Sequence, residues 1–493
     1  MTTGNAAPPR LGWRTHGVLA LLVVAYASSF IGRQIMSVMI EPIKLEFGVS
    51  DTAMGLVSGL SFAAVYALLG LPAGRLADRH SRMRVLAITA ALWALATLLC
   101  GMATGFVVLA LARMLVAATE APVTPTSLSL IADLYPVQNR SLAISCFTGA
   151  PTLSAIVGLS VGAWLVDVHG WRTGFVLIAI PLLFLSLIFG FLVREPQRGR
   201  WDGVVTHPDP GERLLQSALT LLRNRPYLLL MSASALTTFS AYAFAMWNTS
   251  FLVRSHALSL QHAGILAGVV SGAAMAVGGV FSGWLTDRLS ARNRAWLLRI
   301  PLLGHLLGLA GLALYLLWPQ ATWLTVAGLP VPSAMLWAAF SGFFSIWWVA
   351  ASFNLLTQLV SPWQRATAIA LQTVFSTLLG IGLGPLAVGL LSDVLGSTFG
   401  DDSLRYAILI VNVFLLVPMG LLVMLYRGRA YHAAAAPVPA ATAPLGLTEV
   451  GARSQNAWQA RRFLVSLPRC GLRRPWSASG RPCRRRRTTR CRE

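Results

Sequence analysis

GLPAGRLADRHSRMR, residues 70–84, closes one long apolar stretch, and GVFSGWLTDRLSARNR, residues 279–294, closes another in the same way. Shifting the chain on itself by 209 residues puts Ser50 on Ser259, Gly55 on Gly264, Gly59 on Gly268, Gly70 on Gly279, Gly74 on Gly283, Leu76 on Leu285, Asp78 on Asp287 and Arg79 on Arg288. Eight identities at one offset within thirty residues mark an internal duplication. Parallel repeats of this kind imply two halves related by an axis along a membrane normal, with a binding site between them near mid-depth.

Composition points the same way. Of 493 residues, 56% are hydrophobic and 11% charged, and the mean hydropathy is +0.66, as for a polytopic membrane protein. Apolar runs of spanning length fall at about 18–40, 52–74, 84–104, 106–132, 141–166, 172–193, 226–252, 262–286, 295–318, 329–360, 366–392 and 404–426. The expectation is an all-α membrane protein of twelve transmembrane helices in two pseudo-symmetric six-helix bundles. Its divisions are 1–193, a central loop 194–225, 226–427 and a basic disordered tail 428–493. No alternating lumen-and-lipid pattern of a barrel is present.

Arginine placement sets the orientation. With a cytoplasmic N-terminus, nineteen Arg before residue 428 fall on the cytoplasmic side, against Lys44, Arg172, Arg254 and Arg405 on the other. Both termini are therefore expected in the cytoplasm. The first run is too long for a cleavable signal and is followed at once by further spans. The net charge of +22 is concentrated in the tail, where fourteen Arg face Glu449 and Glu493. That tail reads either as a floppy segment drawn to anionic membrane lipids or as a frame-shifted translation, and not as a nucleic-acid arm. The five cysteines have neither disulfide nor metal spacing. No cofactor is expected.

The loop at 70–84, a Gly-x-Leu-x-Asp-Arg core followed by basic residues, resembles the signature loop of the major facilitator superfamily, and 279–294 is its copy. EPIKLEFGVSDTAMGLVSGLSFAAVYALLGLPAGRLADR, the spacing of Arg113 and Glu120, and FLVRSHALS after the seventh run resemble the spinster-like branch. The resemblance covers about residues 11–427. It implies a gate at the cytoplasmic end built from Gly74, Asp78, Arg79 and Arg82, with Asp133 and Arg140 as companions and Asp287 and Arg288 as the second copy. The small residues at 70 and 74 are expected to let two helices approach closely. The competing reading is a basic loop that only sets orientation.

Three full charges sit inside spans: Arg33, Arg113 and Glu120. Charges at that depth are expensive and face a cavity or a partner; the alternative for Arg33 is to snorkel to the interface. Arg113 and Glu120 are seven residues apart, two turns, on one helix face about 10 Å apart along the axis. Three charges at neighbouring depths imply one cavity in which Glu120 pairs with Arg33 or with Arg113. Spinster-like proteins typically carry an acid before the first-helix arginine, implicated in proton coupling, where this chain has Gly32. Two arginines and one carboxylate leave the site at +1, which favours an anion. Tyr66, Trp247, Asn248, Asn354, Gln358 and Gln372 are further candidates to line the cavity, or to bridge helices by hydrogen bonds. His305 reads as a packing histidine.

The function expected is secondary active transport of a small organic or amphiphilic anion across a bacterial inner membrane by alternating access. The protein would be a monomer, with coupling to protons open. A solute sensor without flux, an uncoupled facilitator and a membrane-embedded enzyme are the rivals. No enzymatic constellation is visible.

Overall fold

In the computed structural model residues 12–198, 214–326, 328–360 and 364–428 are described. The expected tail from residue 429, and residues 199–213 of the loop between the halves, lie outside them. Ten helical stretches among the described residues are long and apolar enough to cross a membrane. Two of these, Leu142–Leu192 with 51 residues and Thr367–Arg427 with 61, are more than twice the length one crossing needs. Each is broken at a glycine with positive φ, Gly170 (φ 78°) and Gly400 (φ 53°), a conformation that side chains other than hydrogen disfavour. Counting two crossings in each gives the twelve of the fold.

The duplicated residues do duplicated work. The Ser50 hydroxyl accepts from the Ala53 N–H at 3.2 Å and caps the second span; the Ser259 hydroxyl accepts from the His262 N–H at 3.4 Å and caps the eighth. A π-helical turn follows in both, at Leu56–Leu60 and Ala267–Ser271. The glycines just inside these caps let the halves touch. A Cβ on Gly55 would lie 2.6 Å from the Pro385 carbonyl oxygen of the eleventh span, and one on Gly264 would lie 2.7 Å from the Leu159 carbonyl oxygen of the fifth. Helices without water between them gain by such close packing. The second span thus seats on the eleventh, and the eighth on the fifth, all at the face bearing Asp51.

Two expectations change. The close approach predicted at Gly70 is absent: nothing lies within 4 Å of where its Cβ would be. The halves meet at Gly55 and Gly59, at the other end of the same span, so Gly70 is left in open space. The side chains of Gly74 and Asp78 lie outside the described residues. Secondly, the tenth span begins at Met335 rather than 329, because Leu329–Pro332 forms strand β2, paired antiparallel with β1, Thr322–Val326. Within the described part of the central loop, Leu214–Arg223 is a separate short helix before the seventh span, Arg225–His256.

Candidate functional site

The first span, Trp13–Phe47, carries Ser29 and Arg33 one helical turn apart, hence on one side. Both reach Glu120 of the fourth span: the Ser29 hydroxyl and an Arg33 Nη2–H donate to the same Oε1. Glu120 is the last residue of helix Phe106–Glu120, which breaks at Ala121 and Pro122 before resuming at Val123. Its carboxylate is 2% exposed. Arg33 therefore does not snorkel; of the two pairings left open for Glu120, the structure contains the one with Arg33.

Aromatic rings surround the pair. The Arg33 guanidinium carbon stands 4.8 Å from the ring centre of Phe30, 5.2 Å from that of Phe62 and 5.0 Å from that of Tyr66. Tyr242 of the seventh span brings a ring from the other half to the electrostatic neighbourhood of Arg33. Arg113, 3% exposed, faces the same Phe62 ring at 5.3 Å. Its Nε has no hydrogen-bond partner, and no carboxylate pairs with it among the described residues. One buried cation is thus neutralised and its neighbour is not.

Of the other candidates, Tyr66 joins this cluster. Trp247 instead donates from Nε1 to the Pro385 oxygen at 2.9 Å, and Asn248 accepts from the Tyr315 hydroxyl at 2.8 Å, so both bridge helices. Asn354 and Gln358 bond to each other at 2.7 Å, and Gln372 is buried with its Oε1 unpartnered. His305 is buried against the Thr237 hydroxyl at 2.8 Å. Ser29, Phe62 and Tyr242 escaped the sequence reading. Only Ser29, four residues before Arg33, carried a signal there, its helical spacing.

At the opposite face from Asp51, Arg82 is buried and fully occupied within its own half. It pairs with Asp133, and its Nε donates to Glu195 at 3.0 Å. Its other nitrogens donate to the Ser129 hydroxyl at 3.1 Å and the Pro196 oxygen at 3.2 Å. Arg140 donates to the Ala132 oxygen at 2.6 Å. Arg79, Asp287 and Arg288 are exposed, Arg288 lying 5.7 Å from the Trp284 ring centre.

Glu195, unassigned in the sequence, also caps the third helix, Arg82–Gly101, by accepting from the Arg82 and Met83 amides. Burial opposes its charge, but the Ser81 hydroxyl, the Arg82 side chain and these amides outweigh burial and hold the carboxyl below its usual range. Its stabilising effect is therefore full above the unfolded value of about 4.3 and disappears as pH falls through the lower folded value. Glu195→Gln is expected to lower stability at pH 7 by about 1 kcal/mol, the scale of a part-exposed pair, and to flatten the acid limb of melting temperature against pH. An unchanged acid limb counts against it.

The family model of the Major Facilitator Superfamily matches residues 22–331, a span that includes both signature loops and Arg33, Arg113, Glu120 and Tyr242. An MFS-type efflux pump of Mycolicibacterium smegmatis is 32% identical over 403 residues, covering 82% of this chain and 90% of that protein. A probable L-galactonate transporter of Escherichia coli is 24% identical over 392 residues, 76% of this chain and 82% of its own. The crystal structure of a bacterial homolog of the human lysosomal transporter spinster, inward-facing and unoccupied, has 25% identity and a TM-score of 0.72 over 87% of this chain and 99% of that one. Duplicated loops, twelve crossings and these matches agree: the chain belongs to the Major Facilitator Superfamily of transporters, in its spinster-like branch.

Proposed function

We propose that the protein is a secondary carrier of a small organic or amphiphilic anion in a bacterial inner membrane, working by alternating access. The observation that carries this reading is Arg113, a buried guanidinium with no salt bridge of its own among the described residues, beside an Arg33–Glu120 pair. A cation left uncompensated in a water-poor cavity is costly unless an anion arrives to meet it. The rings of Phe30, Phe62 and Tyr66 suit an anion with an apolar body, and L-galactonate, named for one relative, is a carboxylate. Glu120 is the group for a proton, because its partner Arg33 is the residue an anion would compete for.

The arginine asymmetry supports placing the Asp51 face outside. The conformation, closed at that face, is then the inward-facing one, the state in which the spinster homolog was solved. In this reading Asp78, Arg79, Arg82, Asp133, Arg140, Asp287 and Arg288 form the cytoplasmic gate.

A ligand screen by thermal stability on the purified protein tests the anion class. Sugar acids, short carboxylates and lysophospholipids are expected to raise the melting temperature, and neutral sugars are not. Stabilisation by neutral sugars alone would remove the anion reading. Uptake into proteoliposomes separates a carrier from a sensor.

A further inference from the structure

The charges that cross between the halves gather on the Asp51 face. Arg254, at the end of the seventh span, donates from Nη1 to Asp51 Oδ2 at 2.7 Å and from Nη2 to Asp51 Oδ1 at 2.8 Å. It also donates from Nε to Glu41 at 2.9 Å. Asp51, with its side chain 3% exposed, accepts further from Lys44 at 2.6 Å and from the Ser392 hydroxyl at 2.7 Å. Asp393 of the eleventh span reaches across in the other direction. Its two oxygens accept from the Asp51 amide at 3.0 Å and the Thr52 amide at 2.8 Å, capping the second span from the opposite half. Lys44, Asp51, Arg254 and Asp393 line one cleft of about 400 Å³.

When the halves part at this face, Glu41, Lys44, Asp51 and Thr52 leave with the first and Arg254, Ser392 and Asp393 with the second. A plain lock would then strand Arg254 without an anion, which is strongly unfavourable for a group this buried. The division is balanced instead. The first half keeps Lys44 already bonded to Asp51, and the Ser50 hydroxyl keeps its own cap on the second span. Of the residues lining the cleft, the second half keeps Arg254 with the carboxylates of Asp393 and Asp401, and Asp393 is the one already reaching across to the second span. Arg254 and Asp393 sit on spans that stay packed together, with Trp247 bonded to Pro385 at 2.9 Å.

The geometry points to an exchange latch: Arg254 holds Asp51 when this face is closed and trades it for Asp393 when the face opens, while Lys44 becomes the sole cation on Asp51. Neither conformation then contains an orphaned charge from the central pair, and the two are kept close in free energy, as a carrier that cycles requires. Glu41, 15% exposed in the closed state, is left to the water that enters as the face opens. The inference rests on the alternating-access reading and adds to it how the outer face is kept from locking.

The two cations on Asp51 therefore have opposite effects, which a plain lock does not predict. Spin labels at Leu45 and Trp323, both exposed and one in each half, report the opening in lipid nanodiscs as a distance distribution, with Cys146 and the tail cysteines replaced. Arg254→Met removes the contacts to Asp51 and Glu41 from the closed state against the single one to Asp393 from the open state, and is expected to raise the longer-distance population several-fold. Lys44→Met removes the partner that matters most in the open state, and is expected to lower it several-fold. Shifts of the same sign, or no shift in either variant, overturn the exchange. If Arg254→Met does not assemble, Arg254→Lys, which keeps the charge but loses the two-pronged contact, must shift in the same direction by less. A wild-type distribution that stays single whatever the variant or ligand sinks alternating access itself.

Discussion

Arg113→Met is expected to abolish stabilisation by anions while leaving the protein at least as stable as before. The two halves of that result come from the same fact. Arg113 is buried without an ion pair, so its charge opposes folding, and a methionine of similar length fills the space beside Phe62 without a desolvated cation. For the anion the change removes one charge-assisted contact, worth about 1.5–3 kcal/mol, which is roughly ten- to a hundredfold in affinity. Arg33→Met is the contrast. There Glu120 loses its salt bridge and, among the described residues, keeps the Ser29 hydroxyl as hydrogen-bond partner, and melting temperature falls together with binding. Thermal melts of the two variants with and without the best anion check both statements. A marked loss of stability in Arg113→Met would make it a structural residue and remove the main support for an anionic substrate.

Much of this architecture was legible because the residues concerned have few uses inside a membrane. A full charge in an apolar run is rare enough to single out Arg33, Arg113 and Glu120, and the structure brings all three around Phe62. The repeat was legible for another reason: Ser50 and Ser259 are both caps, and Gly55 and Gly264 both contact the opposite half, so the same local requirement preserved the same residue. What escaped depends on which residues meet in space. Asp51, Arg254 and Asp393 sit at span ends, where charge is ordinary, and 342 positions separate Asp51 from Asp393. Ring residues such as Phe62 and Tyr242 are common in spans, and nothing local distinguishes those facing a guanidinium. Small residues at 70 and 74 suggest a close approach that Gly70 does not make, since a glycine permits contact but does not name the partner that will supply it. Strand β2 is taken into the expected tenth span because LPVP is as apolar as the helix it precedes, and the hairpin has no Asn-Gly or Asp-Gly turn to mark it.

Glu120→Gln is expected to uncouple transport from the proton gradient without stopping it. The carboxamide keeps an oxygen for Ser29 and Arg33 and so preserves the contact that joins the first and fourth spans. It cannot exchange a proton. If an incoming anion draws Arg33 away, a proton on the wild-type carboxylate can replace the lost cation in the water-poor cavity; each cycle then moves one proton with one anion. For a monovalent anion that stoichiometry gives about tenfold accumulation for each pH unit imposed, equivalent to about 1.4 kcal/mol. In Glu120→Gln accumulation falls to the equilibrium level, while counterflow, which needs no net proton movement, continues. Affinity for the anion holds or rises, because the formal charge of the site goes from +1 to +2. Gly32→Asp provides the reverse test. No atom lies within 4 Å of a Cβ at that position, so a side chain can begin there without a clash, and the added acid is expected to steepen the pH dependence of uptake. Proteoliposome uptake under an imposed pH gradient, run beside counterflow in the same preparation, separates the outcomes. Gradient-driven accumulation that survives in Glu120→Gln places the coupling elsewhere and leaves Glu120 as the structural partner of Arg33.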